Sequence, residues 1–144
     1  MRDYGKVYTA IWESATFRAL TEDGRTLALY LLTCPHGTIN GTFRMPDGYA
    51  CEDLQWPSER VCEGFRNLSE NRFATRCETS KWVWVEKYLE WNPPENPNQR
   101  KAAQKLVDKI PTECAWKSMF MRVCAKSLGI DPPPEEPKKT EPLP

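Results

Sequence analysis

The stretch NRFATRCETSKWVWVEKY, Asn71 to Tyr88, decides how this chain is read. Two runs of β-prone residues flank the polar Glu78-Thr79-Ser80, which predicts two short antiparallel strands around a turn. With those three residues as the loop, Cys77 pairs with Lys81, Arg76 with Trp82, Thr75 with Val83, Ala74 with Trp84, Phe73 with Val85 and Arg72 with Glu86. One face then carries Phe73, Thr75, Val83 and Val85 and belongs on a core. The other carries Arg72, Ala74, Arg76, Trp82, Trp84 and Glu86. There the arginines can stack on the indoles, and Arg72 and Glu86 can neutralise each other. Two uses of that face are open. Later helices can cover the tryptophans, or the tip can lay Arg76 and Lys81 along a phosphate backbone.

Working outward toward the N-terminus, Ser58 is placed to cap a helix over SERVCEGFRNLSEN. Val61, Phe65 and Leu68 fall on one buried face of it. Opposite that face lie Glu59, Glu63 and Glu70, with Arg60 and Asn67 on one flank and Arg66 on the other. Arg and Asn suit the edges of guanine and adenine, whereas exposed carboxylates repel phosphates. Before it, Asp47 can cap a short helix through Leu54. TINGTFRM reads as a strand preceded by an Asn40-Gly41 turn. Thr21 caps a helix over EDGRTLALYLLTC, whose first-turn acids suit the helix dipole and which Pro35 ends. Ile11 to Ala19 is expected to form a first short helix.

Toward the C-terminus, NPPENPN breaks the chain. Asn96 caps a helix with Pro97 at its first position, and Ala103, Leu106, Val107 and Ile110 form its apolar face. Lys101, Lys105 and Lys109 form a basic stripe opposite that face, suited to phosphates or simply to water. The apolar side can instead bury against a second copy of the chain. Pro111 stops this helix. Thr112 is expected to cap a last one, with Trp116, Met119, Phe120, Val123 and Cys124 inward. GIDPPPEEPKKTEPLP lacks core-forming residues and reads as a disordered tail or linker.

The expected fold class is α+β, mostly α: a winged helix-turn-helix with a small three-stranded sheet and two extra C-terminal helices. Residues 1–93 form the winged-helix core, 94–130 the helical pair packed on it, and 131–144 the tail. The strand before the third helix is expected to pair with the hairpin.

Composition narrows function. The 144 residues carry 20 Lys/Arg and 20 Asp/Glu, so no global basic charge marks a nucleic-acid binder. Charge is unevenly spread, however. Residues 98–126 hold seven Lys/Arg against Asp108 and Glu113, a local net of +5. No apolar run is long enough to span a bilayer, and no apolar leader follows Met1. The 6 cysteines have no C-x-x-C spacing, which favours free thiols in a reducing, cytoplasmic compartment. His36 beside Cys34 makes neither a zinc set nor a catalytic pair with an orienting third group, so no metal, cofactor or catalytic residue is expected.

The patterns VYTAIW, LTEDGRTLALYLLTCP, NGTFRMP, LQWPSERVCEGFRNLSENRF and WVWVEKYLEWNPPENPN together resemble the N-terminal domain of phage and prophage replication-initiation proteins of the replisome-organiser type. The resemblance covers roughly residues 4–128. Its most specific part is the step from an aromatic-rich wing strand into an Asn-Pro-rich turn and a helix. It implies a sequence-specific head that recognises origin DNA in the bacterial cytoplasm, joined through a linker to a segment that engages the host replicative helicase or its loader. The resemblance supplies no contact residues; the helix faces and the hairpin place the expected contacts to double-stranded DNA at Ser58, Arg60, Arg66, Asn67, Arg72, Arg76, Lys81, Lys101 and Lys105. Two rivals stand beside it. One is a protein-interaction module that uses the acidic helix and the tryptophan hairpin without touching DNA. The other is a transcription regulator of the same fold.

Overall fold

Thr21 begins the first long helix as its chemistry requires. Its hydroxyl accepts from the Gly24 N–H at 3.0 Å, and Glu22 and Asp23 fill the first turn. In the computed structural model, which describes residues 2–134, a 3-10 turn (Thr9–Glu13) and α1 (Ala15–Arg18) precede this helix, α2 (Glu22–Thr33). Then follow β1 (Thr42–Arg44), α3 (Asp47–Leu54), α4 (Ser58–Glu70), β2 (Ala74–Arg76), β3 (Trp82–Val85), α5 (Tyr88–Trp91), α6 (Pro97–Val107), α7 (Lys117–Val123) and α8 (Ala125–Leu128). The protein is α+β and about half helical. The expected tail lies largely outside the described residues. Among the described residues, no helix is long and apolar enough to cross a membrane.

Several expected boundaries move. Ile11 to Ala19 is not one helix, because Ser14 interrupts it and accepts from the Phe17 N–H at 3.4 Å to start α1. Ser58 and Asp47 do not cap. The extended residues Pro57 and Pro46 precede their helices, with no side-chain cap. Thr112 caps nothing either. A turn bonded from Cys114 N–H to Pro111 O runs first, and α7 begins only at Lys117. That delay leaves Trp116, Phe120 and Cys124 inward at four-residue steps, with Met119 and Val123 turned outward to 40% and 64% exposure. Asn96 and Pro97 behave as expected, the Asn96 carboxamide accepting from the Gln99 N–H at 2.9 Å.

The sheet is antiparallel in the order β1-β3-β2, so the strand before α3 does pair with the hairpin. The hairpin register differs from the expected one by a residue. Ala74 faces Val85, Thr75 faces Trp84 and Arg76 faces Val83. The cause is a four-residue loop, Glu78 to Lys81. Cys77 and Trp82 close it, and Lys81 takes a left-handed φ of 63° that returns the chain. A one-residue slip turns β2 over. Ala74 and Arg76 therefore join Val83 and Val85, and Thr75 joins Trp84. Phe73 is still buried, because Arg72 at φ 57° bends the chain after α4 and lets the Phe73 N–H bond Leu68 O at 2.9 Å.

Helices cover both sides of the sheet. On one side Phe43, Val83, Val85 and Ala74 join Phe17, Leu27, Leu31, Val61, Phe65 and Leu68. On the other, Trp84 and Leu89 join Val107, Ile110, Trp116, Phe120 and Leu128. Each large apolar side chain so buried contributes about 1.5–3 kcal/mol. Helices therefore cover Trp84, while Trp82 stays half-buried at the margin.

The turn into β1 ties these layers together. Buried Asn40 accepts from Thr42 N–H at 2.9 Å and from the hydroxyls of Thr42 and Thr38, and donates to Ala103 O of α6 at 3.3 Å. Gly41 beside it has φ 79°, and a Cβ there would meet Tyr88 Cβ at 2.6 Å. Only glycine fits both demands.

Candidate nucleic-acid interface

The expected DNA contacts do not form one surface, and several are held by intramolecular bonds. Arg60 leaves α4 toward the start of α2. Its Nε and Nη2 donate to the two Asp23 carboxylate oxygens at 2.9 and 2.8 Å, and its guanidinium lies 4.3 Å from the Trp56 ring centre. The bond to Arg60 holds the Asp23 carboxyl below its ordinary range, although partial desolvation opposes it.

Asn67 turns to the same helix start. Its Oδ1 accepts from the Thr21 N–H at 2.9 Å and the Thr21 hydroxyl at 3.2 Å. A Cβ at Gly24 would collide with that oxygen, so glycine lets α2 approach α4. Asn67→Ala is expected to cost about 1 kcal/mol, as losing a helix-start acceptor does. Urea unfolding measures this. An unchanged midpoint together with an altered DNA sequence preference would place Asn67 on a base instead.

Arg66 pairs with Glu63 at 3.0 Å, both largely exposed, a contact that salt screens readily. Arg72 stands 3.6 Å from Glu86, as the sequence reading expects, and its side chain is 72% exposed. Burial pushes the Glu86 carboxyl up, with Arg72 opposing. Arg76 departs furthest from expectation. Neither the hairpin tip nor an indole holds it. Its side chain is 9% exposed, its guanidinium lies 3.9 Å from the Phe65 ring centre, and Nη1 reaches Asp47 at 2.6 Å and Met45 O at 2.9 Å. The register slip that turns β2 over put it there.

Lys81, Lys101 and Lys105 form no ion pair among the described residues. Both α6 lysines are fully on the surface, and Lys81 is half-buried at the hairpin tip. Ser58 is exposed at the first turn of α4.

Two clefts flank α4. The one toward α2, about 730 Å³, is lined by Glu22, Asp23, Glu63 and Glu70 with Arg66 and Asn67. Its carboxylates outnumber its cations, which disfavours a phosphate there. The one toward the hairpin, about 410 Å³, is mixed: Arg66, Arg76 and Lys81 against Glu70 and Glu78.

Comparison of the chain with family models, with curated proteins and with solved structures gave no match. The residues themselves therefore carry the functional argument. Cys34 and His36 engage different neighbours. The Cys34 thiol contacts Leu31 O and burial pushes it up, while His36 stacks on Tyr49 at 4.5 Å. Among the described residues, no three His, Cys, Asp or Glu side chains gather to hold a metal. Reading the sequence missed the roles of Asp23 and Asp47 as partners of the arginines. A first-turn acid facing a basic helix flank is the signal for Asp23, and nothing local signals Asp47.

Proposed function

We propose that this chain is a winged-helix domain of the replication-initiation type that binds duplex DNA mainly through phosphates. The observation that carries the reading is the order α2-β1-α3-α4-β2-β3 with a β1-β3-β2 sheet. We read that order as a three-helix core with α4 in the recognition position and β2-β3 as the wing. Lys81 on the wing and Lys101 and Lys105 on α6 supply cations that form no ion pair among the described residues. They position DNA without reading its sequence. Arg60 and Asn67 hold α2 to α4 in this reading, which leaves Arg66 and Ser58 as the groove-facing candidates on α4. Origin recognition and helicase engagement rest on the sequence resemblance.

Fluorescence anisotropy with labelled duplexes, origin-containing and scrambled, tests it across a salt series. Lys101→Ala with Lys105→Ala is expected to weaken both duplexes equally and to flatten the salt dependence by about one unit of slope per lost contact. Glu63→Gln is expected to raise affinity, since it removes a repulsive charge. No binding at low salt, or binding indifferent to all of these changes, rejects the proposal.

The acidic cleft between α2 and α4 favours a second reading, a module that binds a basic protein segment. In that case purified host helicase or its loader binds the domain, Glu63→Gln weakens the complex, and DNA does not compete.

A further inference from the structure

At the hairpin tip two cysteines meet around one short segment. Cys77 ends β2, is half-buried, and its sulfur lies 3.4 Å from Thr79 Oγ1. Cys114 is buried beneath it in the turn after α6, its sulfur 3.3 Å from Ser80 Oγ. Both belong to the apolar cluster on the tryptophan side of the sheet, and their sulfurs sit against the hydroxyls of two successive loop residues, Thr79 and Ser80. All six cysteines are free.

We propose that Cys77 and Cys114 form a peroxide-reactive dithiol, with Cys77 as the attacking thiol and Cys114 as the resolving one. The polar tip prepares Cys77 for this. Burial opposes its ionisation, but the polar surroundings supplied by Ser80 and Thr79 outweigh burial and bring the thiol down to about 6. A lowered thiol favours the thiolate, the form that attacks. Burial pushes Cys114 up, Ser80 opposes this, and contact with Cys77 raises it further. Cys114 is thus the less readily ionised of the two. Cys124, pushed by burial to about 11, and exposed Cys62 lack such a tip.

The chemistry balances with hydrogen peroxide as the oxidant. The Cys77 thiolate attacks one peroxide oxygen. An S–O bond forms, the O–O bond breaks, and hydroxide leaves and takes a proton to become water. Cys77 sulfur has lost two electrons and the peroxide has gained them. Cys114 then gives its proton to solvent and its sulfur attacks Cys77. The S–S bond forms, the S–O bond breaks, and the departing hydroxide is protonated to a second water. The product ties the wing tip to the α6–α7 turn. The site does not depend on DNA binding.

The test uses the full chain, reduced and then treated with low equivalents of hydrogen peroxide, followed by peptide mapping. A Cys77–Cys114 crosslink, lighter by two hydrogens, is expected first. Cys114→Ser should stop at a Cys77 sulfenic acid that dimedone traps. Cys77→Ser should slow peroxide consumption about tenfold or more, a thiolate being replaced by ordinary thiols. Cys114→Ala, checked for folding by circular dichroism, gives the same trapping readout if the serine variant fails to fold. Initial oxidation at Cys62, or a Cys77 that becomes sulfenic in the parent chain without ever joining Cys114, overturns the proposal.

Discussion

Trp84→Ala is expected to remove about 3–5 kcal/mol of stability, a large part of what holds a domain of this size. Trp84 is 2% exposed on β3, the central strand, and it is where the sheet meets the C-terminal helices. Its ring stands edge-on to Phe120 at 5.5 Å and tilted to Trp116 at 6.0 Å. Truncation empties the centre of that aromatic group, and no neighbouring backbone can collapse into the gap without moving β3. Trp82→Ala is the internal comparison. Trp82 is half-buried at the edge of the same group, so its loss should cost distinctly less. Urea unfolding followed by far-ultraviolet circular dichroism gives both numbers. Equal midpoints for the Trp84 variant and the parent chain would show that α6 to α8 do not depend on the sheet for their packing.

The same tryptophan shows what the sequence made legible. Elements announced by local chemistry were readable: the Thr21 cap, the Asn96-Pro97 start and the β-rich runs of the hairpin. Strand pairing was readable too, because a lone short strand has few other places to go. Cover of the tryptophans by later helices was one of the two uses left open for that face, and Trp84 takes it. The failure of the hairpin register turned on one residue. Lys81 adopts the left-handed region, where glycine or asparagine would have given a signal and lysine gives none. The loop therefore holds four residues, β2 turns over, and Arg76 moves from the solvent side of the hairpin to the core side.

The candidate site was less legible than the fold, for a related reason. A helical wheel shows which side chains leave a helix on the solvent side. It does not show which acid waits there. Asp23 lies 37 residues from Arg60, and Thr21 lies 46 from Asn67. Only the packing of α2 on α4 brings them together. Exposed positions on a wheel are thus positions available to any partner, and here the chain itself took two of them. Lys101 and Lys105 escape because nothing acidic packs against that side of α6 among the described residues.

Arg76→Ala is expected to cost about 2–4 kcal/mol, somewhat less than breaking a fully buried ion pair. The discount arises because the Asp47 side chain is 32% exposed and can recover some water. Three contacts are lost together: the charge pair with Asp47, the bond to Met45 O and the guanidinium face against Phe65. Asp47 Oδ1 is buried and has no aligned donor even with Nη1 at 2.6 Å, so that contact is Coulombic rather than a directed hydrogen bond. Lysine would keep the charge but lose the flat face and the fork, so Arg76→Lys should fall between parent and alanine. Asp47→Ala combined with Arg76→Ala should cost less than the two single changes summed, by about 0.5–3 kcal/mol, since each single change strands a partner. Unfolding midpoints of the four proteins close that cycle. DNA supplies the discriminating measurement. At a temperature where the alanine variant remains folded, its duplex affinity and salt slope should match the parent, because an interior guanidinium touches no phosphate. A variant with parental stability and a flatter salt dependence would instead place Arg76 on a phosphate-contacting face of the hairpin.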